Sequence, residues 1–311
     1  MRRAIGGSIV AVGVLALGPA VSSGALLVYE PFDYDTELTH LDGVEATGQG
    51  LSGNWSQRHT GEGESNIVPG LSFGPLVTSG NAFQMSDRLP PASGDRYNVA
   101  SATIGATTTE STIWHSHLVQ FEVHDEEAEN NSENPNSRWQ SRVSVHDGQH
   151  SRTDAPAQFG FSATRDGSTS EGRIQMAGTT DGGEALDFGV PYLVVAKLTG
   201  LHDDGEDVTK TADMWVLSLD DYLEVVAAGF DETALDDNNQ FTISRSVTND
   251  DEIGLMGELN IHTIDWTEQN FFPIYDEIRF ATTLQSAIIP EPASLALLGA
   301  GGLLLLRRRR A

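Results

Sequence analysis

A strict period-two alternation of apolar and polar residues runs through this chain, and no segment between Leu26 and Thr282 shows a long helical period. Alternate positions of an extended strand share one face, so this pattern predicts half-buried β-strands. Asp-Gly and Gly-Gly pairs separate the runs, as tight turns require. The sequence therefore predicts an all-β domain built as an antiparallel β-sandwich. Four predicted apolar faces are Ile113, Val119, Phe121 and Val123; Trp139, Val143 and Val145; Tyr192, Val194, Ala196 and Leu198; and Ile274, Ile278 and Phe280.

Two stretches depart from this alternation. Met214 to Leu219 is apolar except at Ser218, which predicts a strand buried on both faces. Residues 220–228 and 232–236 are compatible with short helices.

The charge balance is strongly acidic, with 18 Lys and Arg against 45 Asp and Glu. A surface of this sign repels nucleic acid, because phosphate binding needs clustered basic side chains. The acidity favours a solvated surface or attraction of divalent cations. The chain has no cysteine, which excludes disulfides, thiolate metal sites, a cysteine nucleophile and a lipid-modified cysteine anchor.

The N-terminus has the layout of a secretory signal peptide. Arg2 and Arg3 give a positive start, an apolar stretch follows, and Ser23 and Ala25 offer small residues at the −3 and −1 positions. We therefore predict a signal peptide over residues 1–25, cleaved after Ala25. An uncleaved anchor is the alternative, but Gly18 and Pro19 break the apolar run before it reaches the length of a membrane span.

The C-terminus combines three ordered parts. Pro290, Glu291 and Pro292 precede an uncharged apolar helix, residues 293–306, and the stop Arg307, Arg308, Arg309 and Arg310 follows. Arginines stay on the cytoplasmic side of a membrane. Fourteen helical residues rise about 21 Å, less than a hydrocarbon core of about 30 Å, so the helix is a weak and transient membrane attachment.

This order of parts resembles the PEP-CTERM sorting signal, here over residues 285–311. The resemblance implies recognition of Pro290, Glu291 and Pro292 by an exosortase, a membrane sorting enzyme. It also implies export through the inner membrane to the cell surface, outer envelope or extracellular matrix. An ordinary tail anchor is the alternative.

Three further segments resemble concanavalin A-like (laminin G-like) jelly rolls. They are Leu27 to Tyr34, Tyr192 to Lys197 with Ala212 to Val216, and Tyr275 to Thr282. The resemblance implies one jelly-roll domain over residues 26–284 whose first and last strands pair.

No catalytic residue is predicted. The strand-borne carboxylate patterns of jelly-roll glycosidases and a His-Glu-x-x-His zinc motif are both absent. His115 and His117 form the one close histidine pair and are expected on one strand face, as a half-exposed polar patch or, with a nearby carboxylate, a metal site.

Two weaker sites are hypotheses. Asp203, Asp204, Glu206 and Asp207 form an acidic loop that is a candidate for Ca²⁺, with a plain acidic hairpin as the alternative. Trp55 lies in loop-like sequence and is a candidate for stacking on a sugar ring.

These observations favour a non-catalytic exported protein that binds glycan or protein at the surface or in the matrix. A polysaccharide-active hydrolase or lyase and a purely structural coat component are the alternatives.

Overall fold

The structure is a computed structural model of the chain and describes twelve stretches of it. These are residues 24–59, 65–76, 78, 80–85, 96–123, 139–146, 157–163, 170–176, 179–200, 209–248, 257–265 and 271–288. Within them the strands form two antiparallel sheets, so the prediction of an all-β antiparallel sandwich is confirmed.

The first sheet has eight strands in the order β13-β12-β11-β6-β15-β4-β3, with β1 also paired to β15. Its strands are β1 (Leu26–Glu30), β3 (Ser65–Pro69), β4 (Asn81–Met85), β6 (Thr112–Val123), β11 (Tyr192–Thr199), β12 (Thr209–Leu217), β13 (Phe241–Thr248) and β15 (Phe271–Ala281). The β1–β15 pairing confirms the expectation that the first and last strands pair.

The second sheet has seven strands in the order β10-β9-β8-β7-β14-β5-β2. They are β2 (Leu51–His59), β5 (Arg96–Ile104), β7 (Trp139–His146), β8 (Ala157–Ala163), β9 (Ser170–Met176), β10 (Thr179–Leu186) and β14 (Glu258–Asp265).

The main hydrophobic core lies between the two sheets. On β11 the four residues predicted to share a face, Tyr192, Val194, Ala196 and Leu198, all belong to this core. The second sheet contributes side chains such as Leu259 and Ile261. Burial of an aliphatic side chain of this size stabilises the fold by about 1.5–3 kcal/mol.

A second apolar cluster covers the outer face of the first sheet. Three short helices contribute to it, α1 (Leu219–Ala228), α2 (Glu232–Asp237) and α3 (Leu284–Ile288). Strand β12 is therefore buried on both faces at its end, Met214 to Leu217, as the continuous apolar stretch predicts. The predicted helices at 220–228 and 232–236 are confirmed, and Leu219 begins α1 instead of ending the strand.

One predicted strand face is wrong, that of Ile274, Ile278 and Phe280 on β15. Ile278 and Phe280 belong to the core between the sheets, but Ile274 belongs to the cluster under the helices. The pairing with β6 shifts register between Asp276 and Arg279, and Glu277 has a φ of 54°. A bulge adds one residue to a strand and so reverses which face the following residues occupy.

The two ends of the described body lie side by side. The Ala25 amide donates to Thr282 Oγ1 over 3.0 Å, and Ser286 Oγ donates to the Gly24 carbonyl over 2.8 Å. Helix α3 buries Leu284 and Ile288. The predicted boundary at residue 284 therefore falls inside a helix that packs on the body.

None of the helices in the described stretches is long and apolar enough to cross a membrane. The predicted apolar helix 293–306 lies outside those stretches, and so do residues 1–23.

Candidate functional site

The outer face of the seven-stranded sheet carries polar residues. The outer face of the first sheet instead carries the apolar cluster under the helices. In β14, Leu259 and Ile261 enter the core, so the alternate residues Asn260 and His262 belong to the opposite face. The three described helices pack on the first sheet. We call this outer side of the second sheet the polar face, and its members Ser101, Ser144, Asn260 and His262 are buried.

A line of uncharged polar residues crosses four neighbouring strands of the polar face. Asn260 of β14 pairs with Ser101 of β5 on one side and with Ser144 of β7 on the other. Ser101 in turn pairs with Ser56 of β2. We call these four residues, Ser56, Ser101, Asn260 and Ser144, the polar row.

Asn260 is the unusual member of the polar row. Its side chain is only 3% exposed, yet both Oδ1 and Nδ2 lack a hydrogen-bond partner among the described residues. Leaving a buried polar group without a partner costs about 1–3 kcal/mol, and natural proteins rarely retain one without a reason. An amide offers two donors and an acceptor together, so Asn260 is equipped to bind a ligand that presents both kinds of group.

The rest of the row can supply hydroxyl groups beside that amide. Ser101 Oγ donates to the Ser56 carbonyl over 3.3 Å and keeps its lone pairs. His262 lies two residues further along β14 and is 7% exposed. The arrangement suits recognition of a polyhydroxylated molecule through several paired hydrogen bonds. Sequence reasoning missed it, although the alternation of Leu259 and Ile261 with Asn260 and His262 was a readable signal.

The histidine pair lies in the core. His115 and His117 share a face of β6, as predicted, but they are 1% and 0% exposed, so the expected half-exposed patch is wrong. Their face is the inner one, where His115 stacks on Phe280 with ring centroids 4.3 Å apart and His117 packs near Tyr275.

Both rings are neutral because burial opposes their charge. Burial lowers the pKa of His115 to about 3 and that of His117 well below its ordinary value, with the neighbouring His115 adding to the shift. The Arg279 carbonyl can only accept, so His115 Nδ1 donates to it over 3.0 Å. His115 Nε2 then accepts from His117 Nδ1 over 2.8 Å. Across the described ranges no three or more His, Asp or Glu side chains are placed to hold a metal ion.

Trp55 also lies in the core, so the prediction of an exposed sugar-stacking ring is wrong. It is 1% exposed in β2, and its indole N–H donates to Tyr34 Oη over 2.9 Å. Tyr34 Oη donates to Glu30 Oε2 over 3.0 Å, and Glu30 Oε1 accepts from the Phe32 amide over 2.7 Å. Burial raises the pKa of Glu30 to about 7 despite these hydrogen bonds.

A second network of buried carboxylates connects the last strand, β15, to Leu71 and to β1. Asp276 accepts the amides of Leu71 and Glu277, each over 2.8 Å. Glu277 pairs with Arg279, whose guanidinium lies 4.6 Å from the ring centre of Tyr29 in β1. Burial, with Glu277 nearby, raises the pKa of Asp276 to about 8. These carboxylates bind the protein's own groups, so the first and last motifs of the domain act in stability.

Several predicted site residues lie outside the described stretches. They are Asp203, Asp204, Glu206 and Asp207 of the acidic loop, the motif Pro290, Glu291 and Pro292, and the stop Arg307, Arg308, Arg309 and Arg310. Asp236 accepts the Trp215 indole N–H over 2.8 Å. Ala25 is exposed and directly precedes β1.

Comparisons with known proteins return structural similarity only. No family profile matches the sequence, and a search of curated proteins finds no match. The fold is similar to the T. cruzi calreticulin globular domain, with 12% identity, 90% of this chain and 94% of that chain covered, and a TM-score of 0.43. A carbohydrate esterase of bacteriophage phi24B is 10% identical over 83% of this chain and 99% of its own, with a TM-score of 0.42.

Lectin I from Ulex europaeus, solved with the methyl glycoside of α-L-fucose, is 10% identical over 84% of this chain and 98% of its own, with a TM-score of 0.40. These similarities concern the all-β fold and decide nothing about a ligand.

Proposed function

We propose that this chain is an exported, non-catalytic surface or matrix protein that binds glycan on the polar face. The observation that carries the binding function is Asn260, a buried amide without a partner in the described part of the chain, at the centre of a row of serines. Sugars present adjacent hydroxyls that both donate and accept, which matches an amide beside hydroxyl groups.

The domain's topology and motifs support the proposal of a concanavalin A-like jelly roll. Two antiparallel sheets enclose one core, and the first and last strands pair. The opening and closing segments that carry the resemblance form β1 and β15, and their acidic residues Glu30, Asp276 and Glu277 are engaged in the pairing region.

A non-catalytic role is favoured over a hydrolase or lyase. Catalytic carboxylates must face the substrate at defined separations. Among the described residues, the two carboxyl groups with a raised pKa, those of Glu30 and Asp276, instead accept hydrogen bonds from the protein's own backbone. The purely structural coat component is distinguished by the binding experiment below.

Export and sorting rest on the terminal sequences. The signal peptide over 1–25 and the PEP-CTERM-like segment with Pro290, Glu291, Pro292 and the arginine stop assign the chain to an exosortase and to transient membrane association.

Binding is tested by affinity electrophoresis of the purified full chain through gels that contain bacterial or algal polysaccharides. Asn260→Ala is expected to weaken binding at least tenfold, since a tenfold change is about 1.4 kcal/mol, within the range of one or two hydrogen bonds. Asn239→Ala is the matched control, because Asn239 donates to the Leu235 carbonyl beside α2. Equal retardation of both variants would contradict the site, and no retardation of the parent by any polysaccharide would favour the coat component.

Sorting is tested in the native host by the mass of the mature protein. A product that ends near Pro292 and becomes membrane-retained when the exosortase gene is deleted is the expected result. A full-length C-terminus in the wild-type cell would make the segment an ordinary tail anchor.

A further inference from the structure

The polar row is exposed at one end and buried along the rest of its length. Ser56 lies on the edge strand β2 and is exposed. The other three members are buried, since Ser101 is 4% exposed and Asn260 and Ser144 are each 3% exposed. Two inter-strand steps of about 4.8 Å separate β2 from β14, so the Asn260 amide lies about 10 Å inward from the exposed end of the row.

Strand β5 shows the same change in exposure. Ala102 enters the core, so Ser101 and Thr103 on either side of it share the polar face. Thr103 is exposed, while Ser101 is buried. Ser56 and Thr103 therefore flank one exposed corner of the polar face.

This pattern of burial disfavours contact with the broad side of a polymer. A polysaccharide that lies along a sheet contacts several strands at once and needs exposed side chains on each of them. Ser56 alone among the four members of the polar row is exposed. A slender group that enters past Ser56 needs no such surface, because only its tip contacts Ser101 and Asn260.

We infer that Asn260 recognises the non-reducing end of a glycan chain, inserted past Ser56, and not the interior of the chain. This deepens the proposed function and rests on it. Each glycosidic bond inside a chain consumes a hydroxyl that is free at the non-reducing end, so the end presents one more donor and acceptor. Asn260 offers two donors and an acceptor. Ser101 Oγ donates to the Ser56 carbonyl and keeps its lone pairs to accept from a sugar hydroxyl.

The burial of the Asn260 amide strengthens this discrimination. Both amide atoms lack a hydrogen-bond partner among the described residues. A ligand without the matching hydroxyl leaves a buried polar group unpaired, which weakens binding more than the loss of an exposed contact does. Interior sugar units lack the free hydroxyl and carry further sugars on both sides, so a chain is bound at its end and rejected along its length.

The test varies the number of chain ends at constant mass of glycan. Dextran, pullulan and alginate are each compared intact and after partial hydrolysis to about one tenth of their length, with binding to the full protein chain measured by isothermal titration calorimetry. Recognition of the end predicts, for at least one glycan, equal affinity per glycan chain and about tenfold tighter binding per unit mass after hydrolysis. Recognition of the interior predicts equal affinity per unit mass, and that result overturns the inference.

A substitution at the exposed end of the row tests the entry past Ser56. Ser56→Trp places a large side chain there and is expected to weaken binding of the hydrolysed glycan at least tenfold. Thr242→Trp is the matched control, because Thr242 is exposed on the edge strand β13 of the other sheet, and it is expected to bind as the parent does. Unchanged binding by a folded Ser56→Trp overturns the inference. If Ser56→Trp lacks the β-sheet circular dichroism of the parent, the length comparison on the parent chain decides.

Failure of the inference and failure of the proposed function give different results. Equal affinity per unit mass, lost in Asn260→Ala, overturns recognition of the end and keeps glycan binding at Asn260. A preference for shorter chains that persists in Asn260→Ala overturns the assignment of the chain end to Asn260. No binding of any glycan, intact or hydrolysed, overturns both claims.

Discussion

Replacing Asn260 by leucine separates a binding role from a structural one. The side chain is buried, and its two amide atoms have no partner among the described residues. Leucine has a similar size and no polar atom, so the substitution removes the penalty of an unpaired amide, about 1–3 kcal/mol, and adds apolar burial. We expect the free energy of unfolding to rise by about 1–2 kcal/mol while affinity for glycan falls at least tenfold.

The assay is urea unfolding of the full chain followed by tryptophan fluorescence, with glycan affinity measured on the same preparations. A gain in stability together with a loss of binding is typical of a residue retained for function. Asn239→Leu serves as the control, because Asn239 already donates to the Leu235 carbonyl, and it is expected to lose about 1 kcal/mol of stability. A destabilisation of more than 1 kcal/mol by Asn260→Leu would refute the reasoning, since the amide would then be part of the fold's own hydrogen bonding.

Three further predictions concern the rest of the domain. Tyr34→Phe removes the acceptor of the Trp55 indole N–H and the donor to Glu30, so we expect a loss of about 2–4 kcal/mol in urea unfolding; Tyr192→Phe, whose hydroxyl accepts one half-buried amide, should lose less than 1 kcal/mol. The pKa of Glu30 is raised to about 7 and that of Asp276 to about 8, so the folded state binds protons more tightly and stability should decline as pH rises from about 4 to about 8; a stability that increases over this window would contradict those shifts. Millimolar Ca²⁺ should raise the melting temperature if the acidic loop binds it, and an unchanged melting temperature would leave a plain acidic hairpin.

The alternation of apolar residues was sufficient to predict most of the fold. It identified the inner face of β11, because core burial imposes a period of two wherever a strand is regular. The apolar run from Met214 identified the doubly buried end of β12. The alternation failed at Ile274, because the bulge at Glu277 reverses which face of β15 the residues on either side of it occupy. The local sequence pattern contains no signal of this bulge.

Trp55 shows why local sequence misjudged a buried residue. Its neighbours Gly53 and Asn54 are typical of a loop, and the pairing of β2 with β5 does shift register between Ser52 and Ser56. The ring is nevertheless enclosed, because Tyr34, far along the chain, supplies the partner for its indole N–H. Burial of this kind depends on a distant contact that local pattern does not contain.

The candidate site could be predicted only in part. The placement of Asn260 and His262 on the face opposite the core was readable from β14 alone. The polar row was not, because Ser56, Ser101 and Ser144 come from three other strands and only the register of the folded sheet aligns them with Asn260.

The most direct measurement of the central claim is a crystal structure of the protein with a bound oligosaccharide. The account predicts sugar hydroxyls within hydrogen-bond distance of Asn260 Oδ1 and Nδ2, on the outer face of the seven-stranded sheet. A sugar bound against the helices on the other sheet, with Asn260 untouched, would contradict it.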